Sequence, residues 1–149
     1  MRMLDQILKH NAEFVEEKKY EEYQTSKYPN KKMVILSCMD TRLIELLPKA
    51  LNVGNGDAKL IKNAGALVVH PFGSIMRSIL VAVYQLKAQE VLVIGHHDCG
   101  MSGMKAESMI TSMKDRGIND KVIDMLNYSG IDVNGWLEGF SSVSESVSH

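Results

Sequence analysis

Three short strand-like runs, at residues 33–36, 58–62 and 91–94, are separated by stretches with helical periodicity. That alternation restricts the chain to an α/β domain with a mainly parallel central sheet flanked by helices, because parallel neighbours need a crossover element between them. Met33-Val34-Ile35-Leu36 and Val91-Leu92-Val93-Ile94 are continuously apolar, the pattern of strands covered on both faces. In such sheets ligands bind beyond the carboxyl ends of the strands. The residues that follow each run are therefore the first place to look for chemistry.

The helical stretches carry their own patterns. Near the start, Leu4, Ile7, Leu8, Asn11, Phe14 and Val15 recur at helical spacing, and residues 20–29 are polar and lead into the first strand. Leu43, Leu47, Ala50 and Leu51 share one side of a helix expected at 43–51, and Gly54-Asn55-Gly56-Asp57 marks a turn. After Pro71 and Gly73, the residues Ile75, Ile79, Leu80, Val83 and Leu86 form an apolar stripe. Further helices are expected at 108–116, 120–126 and 133–147. In the last of these Trp136, Phe140, Val143 and Val147 recur every three or four residues. The Ser-rich end, 141–149, is expected to fray.

With 149 residues, one domain is the default. A net charge of −1 at pH 7 provides no global field for nucleic acid or an anionic membrane. No apolar run approaches the ~18 residues of a membrane span. Charges interleave with apolar residues over the first nine positions, so no secretory signal is read there. The expected location is the reducing cytoplasm, where cysteines are ligands or reactive thiols rather than disulfide partners.

There are only two cysteines, 61 positions apart, and each follows an apolar run. Cys38-Met39-Asp40-Thr41-Arg42 comes after the first, and Gly95-His96-His97-Asp98-Cys99-Gly100 after the third. A tight turn entering a helix can aim His96 and Cys99 at one metal, with Cys38 completing the set from a neighbouring strand. Two thiolates and a neutral imidazole cancel the charge of Zn²⁺, and three protein ligands leave a zinc position open. The plainer alternative for each cysteine is an inert buried thiol. Two cysteines in equivalent strand-end contexts favour the metal.

The neighbours of these ligands have two readings each. Asp40 and Arg42 can form a directional ion pair that aims the carboxylate at the metal's open side. Asp40 can equally cap the helix that starts near Leu43. His97 can shuttle protons, serve as an alternative ligand, or simply face solvent. Gly65 and Ala66 can let backbone approach a small ligand, or form an ordinary turn. The ten methionines read as adaptable core, and His10, His70 and His149 have no evident partner.

Taken in order, these motifs resemble the β-class carbonic anhydrases, whose pattern is CxDxR at one strand end and HxxCG at another. The similarity continues through Lys62-Asn63-Ala64-Gly65-Ala66 and runs from Leu4 to about Val147. It is closest to the short archaeal-type branch, with its CMDSR-like run and KNAGN-like loop. The resemblance implies zinc held by Cys38, His96 and Cys99, an Asp40–Arg42 catalytic dyad, and CO₂ and bicarbonate as substrates. It implies a pocket wall including Lys62, Gly65 and Ala66, with Ala66 replacing a frequent Asn. It also implies a homodimer or larger even oligomer, with the N-terminal helix extending onto a partner. The single domain over 1–149 is expected to lack the family's C-terminal strand and helix. Members that close the zinc site under bicarbonate carry Trp and Arg where this chain has Ile35 and Lys62, so Asp40 is expected on Arg42 rather than on the metal. Rival readings are a carbonyl sulfide or carbon disulfide hydrolase on the same scaffold, or a non-catalytic zinc-binding homologue. A thiol redox protein would favour CxxC, which is absent.

Overall fold

Parallel pairing on both sides of one strand organises the chain. The computed structural model describes residues 2–148. In it β1 (Met33–Cys38) lies between β2 (Ala58–Asn63) and β3 (Glu90–Ile94), giving a three-stranded sheet of order β2-β1-β3. Met33 pairs with Ala58 on one side and Glu90 on the other, and the register carries through to Cys38 opposite Asn63 and Ser37 opposite Ile94. All three strands therefore finish at the same edge. The central strand is inaccessible to solvent at Val34, Ile35 and Leu36, as its unbroken apolar run requires.

The helices are α1 (Met3–Glu16), α2 (Leu43–Ala50), α3 (Ser74–Tyr84), α4 (Ala106–Asp115), α5 (Asp120–Tyr128), α6 (Val133–Leu137) and α7 (Val143–Ser148). Short 3₁₀ turns occupy Lys19–Tyr23 and Ala64–Ala66. The core separates into two apolar clusters. Under α3, Val34 groups with Ala82 and Ala88, flanked by Ile61, Ile79 and Val83. At the strand ends, Cys38 and Cys99 group with Leu43, Leu47, Leu67 and Phe140, flanked by Ile94 and Met101.

Three expectations change. The helix anticipated at 133–147 is two short helices joined through Gly139 and Phe140. The Gly139 N–H donates to Met104 O at 3.0 Å, the Phe140 N–H donates to Met101 O at 3.2 Å, and Phe140 bridges Ser102. A Cβ at Gly139 would lie 2.0 Å from Met101 O, so only glycine permits the approach. Burying Phe140 in the strand-end cluster wins over continuing the helix. As a result the Ser-rich end is docked: buried Ser146 donates from its hydroxyl to Gly65 O at 2.8 Å. Residue 149 lies outside the described residues.

The stripe expected along α3 holds at Ile75, Ile79, Val83 and Leu86, which are half-buried, and fails only at Leu80, which is exposed. Ala82 is buried, and Leu86 lies beyond the helix end. On α1 no residue is buried, and Leu4, Ile7 and Leu8 are 56%, 57% and 58% exposed. Phe14 of α1 sits near the ring of Tyr23, at 6.3 Å between centroids. No described helix is long and apolar enough to cross a membrane.

Phe140→Ala is expected to destabilise the protein by about 3–5 kcal/mol, the usual cost of emptying a buried phenylalanine site. Guanidinium unfolding followed by circular dichroism measures it. A loss below about 1 kcal/mol would show that Phe140 does not anchor the C-terminal segment.

Candidate metal centre

Cys38 is the last residue of β1, and β3 ends at Ile94, which pairs with Ser37. Two residues further on, His96 therefore emerges beside Cys38. The chain then turns sharply at Asp98, whose φ of 54° is left-handed, and returns Cys99 to the same spot. Asp tolerates that conformation better than most side chains.

The three expected ligands come together. Their ligand atoms all lie within 4.8 Å of one another, and the two sulfurs are 3.7 Å apart. Two sulfurs bound at about 2.3 Å to one tetrahedral ion would be separated by roughly 3.8 Å. Both cysteines are buried and free. His96 Nε2 is buried with no hydrogen-bond partner. A buried imidazole nitrogen without a partner costs free energy unless a metal or a donor hydrogen takes up its lone pair, or an acceptor takes its N–H. Burial pushes the Cys99 thiol above its ordinary range. A soft divalent cation answers all three features at once: it accepts the nitrogen, stabilises the thiolates and offsets their desolvation. The residues present fit a bound metal ion.

Asp40 lies beside this triad, with its Oδ2 4.0 Å from His96 Nε2. Its side chain is only 16% exposed. Arg42 grips it three ways. The backbone N–H and Nε–H of Arg42 each donate to Asp40 Oδ1 at 2.9 Å, and Nη2–H donates to Oδ2 at 2.8 Å. The side-chain and backbone hydrogen bonds from Arg42 hold the Asp40 carboxyl well below the usual carboxylate range. Of the two expected roles the pairing is the one present, because α2 starts from Arg42 without a side-chain cap bond. The Asp40 carboxylate satisfies the Arg42 backbone N–H, which precedes α2, and the guanidinium fork.

Arg42 reaches further than the motif suggests. Its Nη1–H donates to Asp98 Oδ2 at 2.8 Å and its Nη2–H to Asp98 O at 2.7 Å. Asp98 is a site residue that sequence reading passed over; the available signal was an acid placed between two ligands. Leu67 and Phe140, which join the cluster around the cysteines, gave no such signal.

The remaining candidates fall around the edge. Lys62 Nζ lies 3.4 Å from Cys38 O. Gly65 and Ala66 are buried and left-handed, with φ of 82° and 59°. A Cβ on Gly65 would meet Phe140 at 2.8 Å, so this glycine serves close packing against the C-terminal segment. Ala66 lines a hollow with Val68, Met76, Val93 and Val147, not one shared with the ligands. His97 is exposed and borders a recess of about 350 Å³ with His96, Asp98 and Ser141 to Ser144.

A family model described as carbonic anhydrase matches residues 33–138, a span that contains Cys38, His96 and Cys99. The chain belongs to the β-carbonic anhydrase family. A Bacillus subtilis (strain 168) relative named "Putative carbonic anhydrase YvdA" is 59% identical over 149 residues, covering 100% of this chain and 76% of that one. The crystal structure of beta-carbonic anhydrase isoform I from Trichomonas vaginalis superposes with a TM-score of 0.79 at 31% identity, covering 92% of this chain and 74% of that one. A carbon disulfide hydrolase of Saccharolobus solfataricus is also similar, 31% identical over 77% of this chain and 58% of its own length.

Wild-type protein is expected to carry one divalent metal ion per chain, and Cys38→Ser to lose most of it. Elemental analysis of the purified proteins reads this directly. Undiminished metal in the variant would remove Cys38 from the ligand set.

Proposed function

We propose that this protein is a zinc-dependent carbonic anhydrase that interconverts CO₂ with bicarbonate and a proton. The observation that carries the reading is the Asp40–Arg42 pair seated against the Cys38, His96 and Cys99 triad. A structural zinc site needs neither residue, and it usually takes four protein ligands rather than three. Family membership supports the same reading.

Zinc held by these ligands supplies Lewis acidity, which activates water for addition to an electrophilic carbon near neutral pH. The chain's own groups do the rest. Arg42 keeps Asp40 ionised and fixes its plane, so a carboxylate oxygen stands ready to accept a hydrogen bond from the reacting water. Because both Asp40 oxygens are engaged by Arg42, the carboxylate stays aimed beside the ligands rather than swinging onto them. Leu43, Leu47, Leu67 and Phe140, packed with the two cysteines, keep bulk water from the inner side of the triad. His97, exposed on the recess next to His96, would pass the product proton to buffer. Lys62, whose Nζ reaches Cys38 O, and Gly65, packed against Phe140, would support the site from β2 and the turn after it, whereas Ala66 faces a separate hollow. With both cysteines free, a reducing cytoplasm suits the enzyme.

We also propose that it assembles as a homodimer or a larger even oligomer. Leu4, Ile7 and Leu8 present an apolar stripe that a second copy would cover.

Asp40→Asn is expected to retain zinc while kcat falls by roughly 10²-fold or more, the scale of lost proton-transfer assistance. Stopped-flow CO₂ hydration with parallel metal analysis measures both. Wild-type rates indistinguishable from the uncatalysed reaction, or turnover of carbon disulfide exceeding that of CO₂, would overturn the assignment.

Deleting the first 15 residues is expected to shift the assembly toward monomer. Light scattering at micromolar concentration reports it, and a monomeric wild type would contradict the proposed oligomer.

A further inference from the structure

Arg42 has five side-chain N–H groups, and four hydrogen bonds run from them, two to Asp40 and two to Asp98. The bonds to Asp40 lock the two side chains to each other. They do not by themselves lock the pair to the protein, because Arg42 is 55% exposed and both residues sit on the same short segment. The anchor comes from elsewhere in the chain. Asp98 lies between His96 and Cys99, on the loop after β3, 56 positions from Arg42. It holds the far edge of the guanidinium with its carboxylate and with its backbone carbonyl.

We propose that Asp98 is a positioning residue for the Asp40–Arg42 pair, acting mainly through a backbone carbonyl that its left-handed conformation turns onto the guanidinium. The proposal rests on the carbonic anhydrase reading and assigns a further residue to the same site. Two observations rank the carbonyl above the carboxylate. The Asp98 side chain is 89% exposed, so its ion pair with Arg42 is hydrated and screened by salt. The carbonyl makes the shorter contact, 2.7 Å, and cannot turn away without moving the chain between two metal ligands. The geometry therefore ties the dyad to the ligand loop. Whatever fixes His96 and Cys99 also fixes the group that orients Arg42, and Arg42 in turn orients Asp40.

The backbone conformation makes the proposal testable by residue type. Asn adopts the left-handed region readily, whereas Val, branched at Cβ, strongly resists it. Asp98→Asn keeps the carbonyl contact and loses the charge. It is expected to lower kcat per bound zinc by about two- to threefold, with an activity less dependent on salt than the wild type's. Asp98→Val disturbs the carbonyl and is expected to lower kcat per bound zinc by at least about tenfold, with KM little changed. In an Arg42→Ala background the valine change should add nothing, because Asp98 then has no guanidinium to position. Should the valine variant fail to fold, Asp98→Ala, with a smaller left-handed penalty, takes its place.

A readout independent of turnover accompanies these rates. The Arg42 Nε–H resonance in ¹⁵N NMR should exchange slowly with water in the wild type and in Asp98→Asn, and rapidly in the valine or alanine variant. Equal kcat losses in the asparagine and valine variants, or a valine loss undiminished without Arg42, would overturn the proposal. So would an Arg42 resonance indifferent to residue 98. A wild type with no CO₂ hydration but the expected NMR pattern would instead refute the carbonic anhydrase reading and leave Asp98 as the anchor of Arg42.

Discussion

The site depends on one strand being paired on both sides in parallel. Because β1 takes β2 and β3 as parallel neighbours in matched register, the three chains leave the sheet at one edge. Cys38 is already at that edge, and two residues beyond Ile94 are enough to deliver His96 next to it. An antiparallel partner would have sent one of the two ligand segments to the opposite end of the sheet. The complete burial of Val34, Ile35 and Leu36 drives this arrangement, since a strand apolar on both faces is stable only in the middle of a covered sheet.

Around that edge the structure sets two kinds of electrostatics side by side. The triad of Cys38, His96 and Cys99 is desolvated, which raises the Cys99 thiol and strands the His96 Nε2 nitrogen. A few ångströms away, Asp40 is held ionised by hydrogen bonds from Arg42. The first environment lacks positive charge and the second is already neutralised. A cation placed among the sulfurs would gain from the thiolates without displacing Arg42 from Asp40. The same separation makes the stability of the Asp40 pair a property of neutral and mildly acidic solution: with its folded pKa lowered, the pair's contribution is present above the ordinary carboxylate range and is lost only as the pH falls through the folded value.

The C-terminal segment shows how packing overrides periodicity. Trp136, Phe140, Val143 and Val147 carry a helical rhythm, yet the chain breaks at Gly139 so that Phe140 can fill the strand-end cluster and Ser146 can reach Gly65. No local feature separated that outcome from a continuous helix. Glycine at 139 was visible, but its reason, a carbonyl of Met101 pressed against it, belongs to a segment nearly forty residues earlier in the chain. On α3 the expected stripe keeps Ile79 and Val83 on the core, and small Ala82 joins them against Val34 while bulkier Leu80 is left outside.

What the amino-acid sequence determined by itself was set by short-range chemistry. Cys38, Asp40 and Arg42 lie within five positions, and His96 and Cys99 within four, so covalent spacing alone confines each group to one turn at one strand end. The alternation of apolar runs with helical stretches determined the parallel sheet. What the tertiary structure decided were the contacts between those groups. These were the meeting of sulfurs 61 positions apart, the clamp from Asp98 onto Arg42, the packing of Leu67 and Phe140 with the cysteines, and the exposure of the apolar face of α1. Each of these joins segments that have no spacing in common, and their distance is fixed only when the sheet register and the packing of the whole chain are fixed.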